Sequence, residues 1–198
     1  MNYYSHTIHI TNFDISDAYR LKNILQIGYL LSRNKLKEII EDDDLNLSEE
    51  TSLFNGMDYI SLCDLNAEHN EYSAYNMYVK KGLSLLFSNR LEVIKPSIVN
   101  MRIGEILFGN DAHEMGMGKK RYSDLSDEVQ VKDRVSLEYF EGILLPIQNF
   151  YRYHNEIYLV EYLGLLKEIL NNNKYHVPII NLDTKKEIII EKNKIKTI

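Results

Sequence analysis

The chain has 198 residues, 44% hydrophobic and 26% charged, the balance of an ordinary globular domain long enough to bury a full core without disulfides or a structural metal. Its 29 acidic against 23 basic residues leave a formal charge of −6, which excludes a sequence-blind nucleic-acid coat, because neutralising phosphates takes a surplus of Lys and Arg. The one cysteine, Cys63, makes no intramolecular bridge; the opening Met1 to His6 has neither a basic nor an apolar signal region, and the apolar run Ile143 to Ile147 is far shorter than the roughly 20 residues of a membrane span. A cytoplasmic protein without a membrane segment is expected. Three prolines and nine glycines are scattered without a linker-like stretch, so residues 1–198 read as a single domain.

In chain order, Thr7 to Thr11 alternates apolar and polar residues as a half-buried strand does, and Asn12-Phe13-Asp14 supplies a turn. Ser16-Asp17 is the expected N-cap of a helix with apolar positions Ala18, Leu21, Ile24 and Leu25, and Gly28 stands at its C-terminal stop. Asn34 to Ile40 reads as a second helix, and Glu41 to Asp44 as a solvated acidic loop. Asp58 to Cys63 reads as a strand, followed by consecutive strands at Leu83 to Phe87 and Leu91 to Ile94. Gly109 to Asp127 has no period and reads as a long loop. Glu128 to Val131 and Val135 to Pro146 return to sheet. Ile157 to Leu170 carries a helical apolar stripe that Asn171-Asn172-Asn173 ends, and Val177 to Leu182 and Ile188 to Ile190 close the chain as strands. Strands outnumber helices without alternating regularly with them, so the expected class is α+β, with a mixed, mostly antiparallel sheet and flanking helices.

Most chemical fingerprints are missing. No Gly-x-Gly-x-x-Gly opens a helix, no P-loop occurs, and Met115 to Lys120 reads as a flexible loop. His113-Glu114 lacks a second histidine four residues on, and His6 and His9 are expected on opposite faces of a strand, so no metal is expected. Cys63 sits in a context suited to a small buried hydrophobe rather than a thiolate nucleophile. Gly-x-Ser-x-Gly is absent.

Three separated polar phrases remain: His9-Ile10-Thr11-Asn12 before an amphipathic helix; Gly56 to Leu62 followed by Tyr72-Ser73-Ala74-Tyr75 and the strand Gly82 to Phe87; and Asp127 to Phe140. In this order they resemble the ADP-ribosyltransferase superfamily. Glu128 with Val131 is similar to the family's Glu-x-x-Val strand, and Val135-Ser136-Leu137-Glu138-Tyr139 to the apolar-x-Leu-x-Tyr phrase that follows it. The resemblance implies a split sheet and an NAD-dependent mono-ADP-ribosyltransferase with Glu128 as catalytic carboxylate. It further implies that His9, with Thr11 or Asn12 beside it, holds the ribose and carboxamide of NAD. Tyr59, Ser61, Ser73 and Tyr75 would lie around the nicotinamide, and Arg33 or Arg121 would clamp the pyrophosphate. NAD is the implied substrate, without a metal.

Histidine in the opening strand places the chain nearer the diphtheria-toxin and poly-ADP-ribose polymerase branch. The opening phrase and the stretch after Glu128 are similar to DNA-modifying bacterial toxins of toxin–antitoxin pairs. The acceptor is then a macromolecule, protein or nucleic acid, and an antitoxin or regulatory protein is an implied partner. Ser126 stands two before Glu128, so the Glu-x-Glu and Gln-x-Glu patterns that mark acceptor type are missing. Two other readings stay open: a non-catalytic nucleotide- or protein-binding module on the same scaffold, and a nucleic-acid-modifying toxin guided by Lys119-Lys120-Arg121. Without the resemblance, His9 is a structural strand residue, the tyrosines are core, and Asp127-Glu128 is an exposed acidic pair on an edge strand.

Overall fold

The computed structural model describes residues 3–9, 13–39, 58–69, 73–95, 127–191 and 194–197. Thr11, Asn12, the acidic run Glu41 to Asp44, His113-Glu114 and the stretch Lys119 to Arg121 lie outside the described residues.

Strand β1 (Tyr3–His9) leads to helix α1 (Ile15–Ile27). The helix is capped by Asp14, whose carboxylate accepts the Ser16 N–H at 2.8 Å, so the cap stands two residues before the expected Ser16. The helix stops at Gly28, whose φ of 80° is the left-handed conformation that glycine adopts without a Cβ clash and whose N–H returns to the Ile24 carbonyl. Strand β2 (Tyr29–Leu31), helix α2 (Arg33–Ile39) and strand β3 (Tyr59–Asp64) follow. A single π-helical turn, Tyr75–Val79, precedes β4 (Leu83–Ser88).

The expected strand at Leu91 to Ile94 does not form. Ser88 instead closes a turn, its carbonyl accepting from Leu91 N–H and its hydroxyl from Arg90 N–H, which drops Leu91 into the core. Ile94 alone then bridges to Gln130. Strands β5 (Glu128–Lys132) and β6 (Arg134–Ser136) come next. The expected sheet from Val135 onward is interrupted by a 3-10 turn at Leu137–Tyr139, which Ser136 caps by accepting the Glu138 N–H, before β7 (Phe140–Leu145). A short helix α3 (Ile147–Phe150) and the long α4 (Glu156–Asn172) lead to β8 (Ile179–Asn181), β9 (Ile188–Glu191) and β10 (Lys194–Thr197).

The main sheet has the order β5-β3-β1-β4-β7-β8. Its pairs are antiparallel except β7 with β8, which α3 and α4 connect as a crossover. The class is therefore α+β with a mixed, mostly antiparallel sheet, as the element pattern predicts. Two smaller antiparallel pairs, β2 with β6 and β9 with β10, stand beside it.

Alternation along the strands sorts side chains onto two faces. One face sends Ile60, Leu62, Leu83, Leu85, Phe87, Val129 and Ile143 into a large core, which α1 completes with Ala18, Leu21 and Leu25 and α4 with Leu159, Leu163 and Leu166. The other face buries a smaller cluster of Cys63, Leu86 and Leu144 beneath Ala74 and Val79 of the π-turn segment. Among the described residues no helix is long and apolar enough to cross a membrane.

Candidate functional site

The site lies on the smaller face, where neighbouring strands part. Strand β1 is in register with β3 at Tyr4↔Asp64 and Ser5↔Cys63, whereas β3 stays paired with β5 from Tyr59↔Lys132 to Cys63↔Glu128. Beyond Ser5, the edge of β1 stays with β4 and leaves β3 free on that side. A carbonyl exposed by such a gap needs another donor. The His6 ring supplies it, Nδ1 donating to the Ser61 carbonyl at 2.9 Å. Because a carbonyl can only accept, Nδ1 carries the proton and Nε2 is left as an acceptor in the neutral ring. Burial pushes the His6 pKa below its ordinary value, and the bond to the Ser61 carbonyl opposes that shift without reversing it.

A cleft of about 350 Å3 opens along this gap. Ser5, His6 and Thr7 line it from β1, Ser61, Leu62 and Cys63 from β3, Ala74, Tyr78 and Val79 from the π-turn segment, and Glu128 from β5. Thr7 and Ser84 share a hydrogen bond between hydroxyls at 2.8 Å beside it. Glu128, the first residue of β5, is held by its neighbours. Its Oε1 accepts the Ser61 hydroxyl at 2.6 Å and Gln130 Nε2 at 3.3 Å, and both donors fix the carboxylate in one orientation. Glu128 and Ser61, two residues singled out from sequence, thus meet at one wall of the cleft, joined by side chains 67 positions apart.

The other sequence candidates lie differently. His9 ends β1 opposite Leu83, just past an irregularity of register after Thr7; its side chain, and that of Arg33 at the start of α2, lie outside the description. Tyr59 shares the Ser61 face of β3, opposite Lys132, but does not line the cleft. Ser73 is buried and accepts from the backbone N–H and side-chain amide of Asn76, capping the turn that follows. Tyr75 stacks on His69 with ring centroids 4.2 Å apart, and its hydroxyl accepts from Lys185 Nζ at 3.3 Å. Tyr78, three residues on, reaches the cleft instead. Ser5, His6, Thr7 and Tyr78 were missed. The strand's alternation carries the signal for Ser5 and Thr7, which share a face, but not for His6.

Behind Glu128 is a second missed feature. Asp127 is wholly buried, so the acidic pair is one sequestered carboxylate beside one that lines the cleft, not an exposed doublet. Asp127 Oδ2 accepts the Cys63 thiol at 3.3 Å and the His69 imidazole at 3.1 Å. Burial and the adjacent Asp127 push the Cys63 thiol far above its ordinary range, which keeps it protonated and unsuited to nucleophilic attack. The donor atoms of Cys63, His69 and Asp127 all lie within 4.8 Å of one another, a spacing that can hold a metal ion. In this structure Cys63 and His69 both donate to Asp127 Oδ2, a hydrogen-bonded cluster; a metal held there would displace the thiol proton on binding. In comparisons with protein-family models, curated proteins and solved structures, the chain matches none.

Proposed function

We propose that the chain is an NAD-dependent mono-ADP-ribosyltransferase that cleaves the nicotinamide–ribose bond and transfers ADP-ribose to a macromolecular acceptor. The observation that carries this reading is the Glu128 carboxylate, oriented by Ser61 at 2.6 Å on the wall of the cleft. Breaking that bond sends its electron pair into the nicotinamide ring and leaves positive charge on the sugar carbon, as in glycoside hydrolysis. A carboxylate already held in place stabilises that charge without reorganising during the reaction. The acceptor then bonds to the same carbon and loses its proton.

The charge of the cleft supports the assignment. Among the described residues Glu128 is the acidic side chain lining it and His6 the basic one, with its pKa lowered by burial, so the local field suits a cationic pyridinium. The volume is near the lower end of the about 300–1,000 Å3 of small-molecule pockets, which suits the nicotinamide riboside half of the dinucleotide.

The test is release of nicotinamide from labelled NAD by the wild-type chain and by Glu128→Gln. Release by the wild type that falls by about 10²-fold or more in the variant, with folding retained, is the expected result. Tight NAD binding with no release would instead make the chain a binding module, and undiminished release by Glu128→Gln would remove Glu128 from the reaction. Following the label into added protein or nucleic acid identifies the acceptor class.

A further inference from the structure

We propose that Asp127 is a positioning residue that ties one wall of the cleft to the strand bearing Glu128; this rests on the reading of Glu128 as the catalytic carboxylate. Burying a carboxylate completely is costly unless donors surround it, and Asp127 has them. Its Oδ1 accepts the Ala74 N–H at 2.8 Å, and its Oδ2 accepts the Tyr75 N–H at 2.9 Å together with Cys63 and His69. The two N–H groups stand at the start of a helical turn, where they have no partner within the helix. The Asp127 carbonyl accepts the Asp64 N–H at 2.7 Å, fastening the same residue to the end of β3.

Three parts of the site meet in this one residue. The segment held through Ala74 and Tyr75 lines the cleft with Ala74, Tyr78 and Val79. Strand β3 carries Ser61, which orients the Glu128 head group. Glu128 itself follows Asp127 directly, at the start of β5. The first residue of a strand at the sheet's edge is where fraying is easiest, and the Ser61 hydroxyl restrains only the tip of its side chain. Asp127 restrains the backbone behind it and sets the distance from Glu128 to the opposite wall.

An amide cannot replace this carboxylate, although it fills the same volume. Whichever way the amide of an Asp127→Asn variant turned, its NH2 would face either the Ala74 or the Tyr75 N–H and leave that donor unpaired. Asp127→Asn is therefore expected to lower kcat for nicotinamide release by about 10- to 100-fold, the scale of a misplacement near 1 Å, and to raise KM for NAD. Both are measured per folded molecule, well below the variant's unfolding midpoint. In a Ser61→Ala background the effect of Asp127→Asn on kcat is expected to shrink, because Glu128 is already displaced.

A residue with a merely structural role would lower the melting temperature and leave kcat and KM unchanged. That result in folded Asp127→Asn, with Glu128→Gln inactive, overturns the positioning role alone. Absence of release by the wild type overturns both readings. Should Asp127→Asn fail to fold, His69→Ala removes one donor and keeps both backbone bonds; a rise in KM then supports the proposal, and an unchanged KM and kcat overturn it.

Discussion

The His6 ring closes the gap that β1 leaves at the Ser61 carbonyl; its Nδ1–H can donate there in either protonation state, and it is burial, not that bond, that favours the neutral ring. Its pKa in the folded chain lies below the ordinary 6.5. The stabilisation from the neutral ring is thus complete above the unfolded-state value near 6.5 and is lost as pH falls from there toward the folded-state pKa, where the unfolded chain binds a proton that the folded chain refuses. Urea midpoints measured between pH 7.5 and 5 are expected to fall more steeply for the wild type than for His6→Gln, which can still donate to the carbonyl. The difference is bounded by about 1.4 kcal/mol per pH unit for one proton. Parallel profiles would show that His6 is not the group responsible. The strand positions of Glu128 and Ser61 are legible in the sequence from short alternating patterns, whereas their meeting, 67 positions apart, is not. The role of His6 is not legible either, since its ring fills a gap between strands that no local alternation announces.

Elements with local causes are legible in the sequence, and elements held by distant partners are not. Helices α1 and α4 announce themselves by apolar residues at three- and four-residue spacing, with Gly28 and Asn171 to Asn173 at their ends. The π-helical turn after Ser73 escapes such reading because the carboxylate accepting its first N–H groups is Asp127, 53 and 52 positions away. Leu91 to Ile94 reads as a strand by composition, yet the Ser88 turn decides its path. Two glycines separate local preference from packing. Gly164 lies exposed within α4 with nothing within 4 Å of an added Cβ, so Gly164→Ala is expected to stabilise the chain by about 0.5–1 kcal/mol, the backbone-entropy gain in a helix. Gly142, buried in β7, would place a Cβ 2.9 Å from the Pro178 carbonyl oxygen, which already accepts the Ile143 N–H at 3.0 Å. Gly142→Ala is expected to destabilise by about 1–3 kcal/mol, because the parallel β7–β8 contact must move. Equilibrium denaturation of the two variants should therefore show shifts of opposite sign; a neutral Gly142→Ala would mean that β8 yields freely.

At the scale of the molecule, the sheet separates the work of stability from that of the site. The face covered by α1 and α4 holds the large core, while the opposite face holds the smaller cluster and the cleft. Strand β4 is buried at all six positions and paired on both sides, by β1 and β7. Strand β5 is at the end of the sheet order, covered beyond β3 by the single Ile94 bridge among the described residues. Amides of β4 are therefore expected to exchange with solvent deuterium through global unfolding, and those of β5 through a smaller opening of the site. Phe150 separates the two routes. It is wholly buried under α4, with ring centroids 5.2 Å from Phe13 and 5.7 Å from Tyr162. Phe150→Ala should cost about 3–5 kcal/mol, and at 1.4 kcal/mol per tenfold it should speed exchange in β4 by roughly two to three and a half orders of magnitude. Exchange in β5 should change little, because opening the edge does not require the Phe150 core to come apart. Equal acceleration in both strands would mean that site and core unfold as one unit. A selective effect on β4 would show that the strand carrying Glu128 can move while the core stays folded, the condition under which a carboxylate at its first residue needs an anchor such as Asp127.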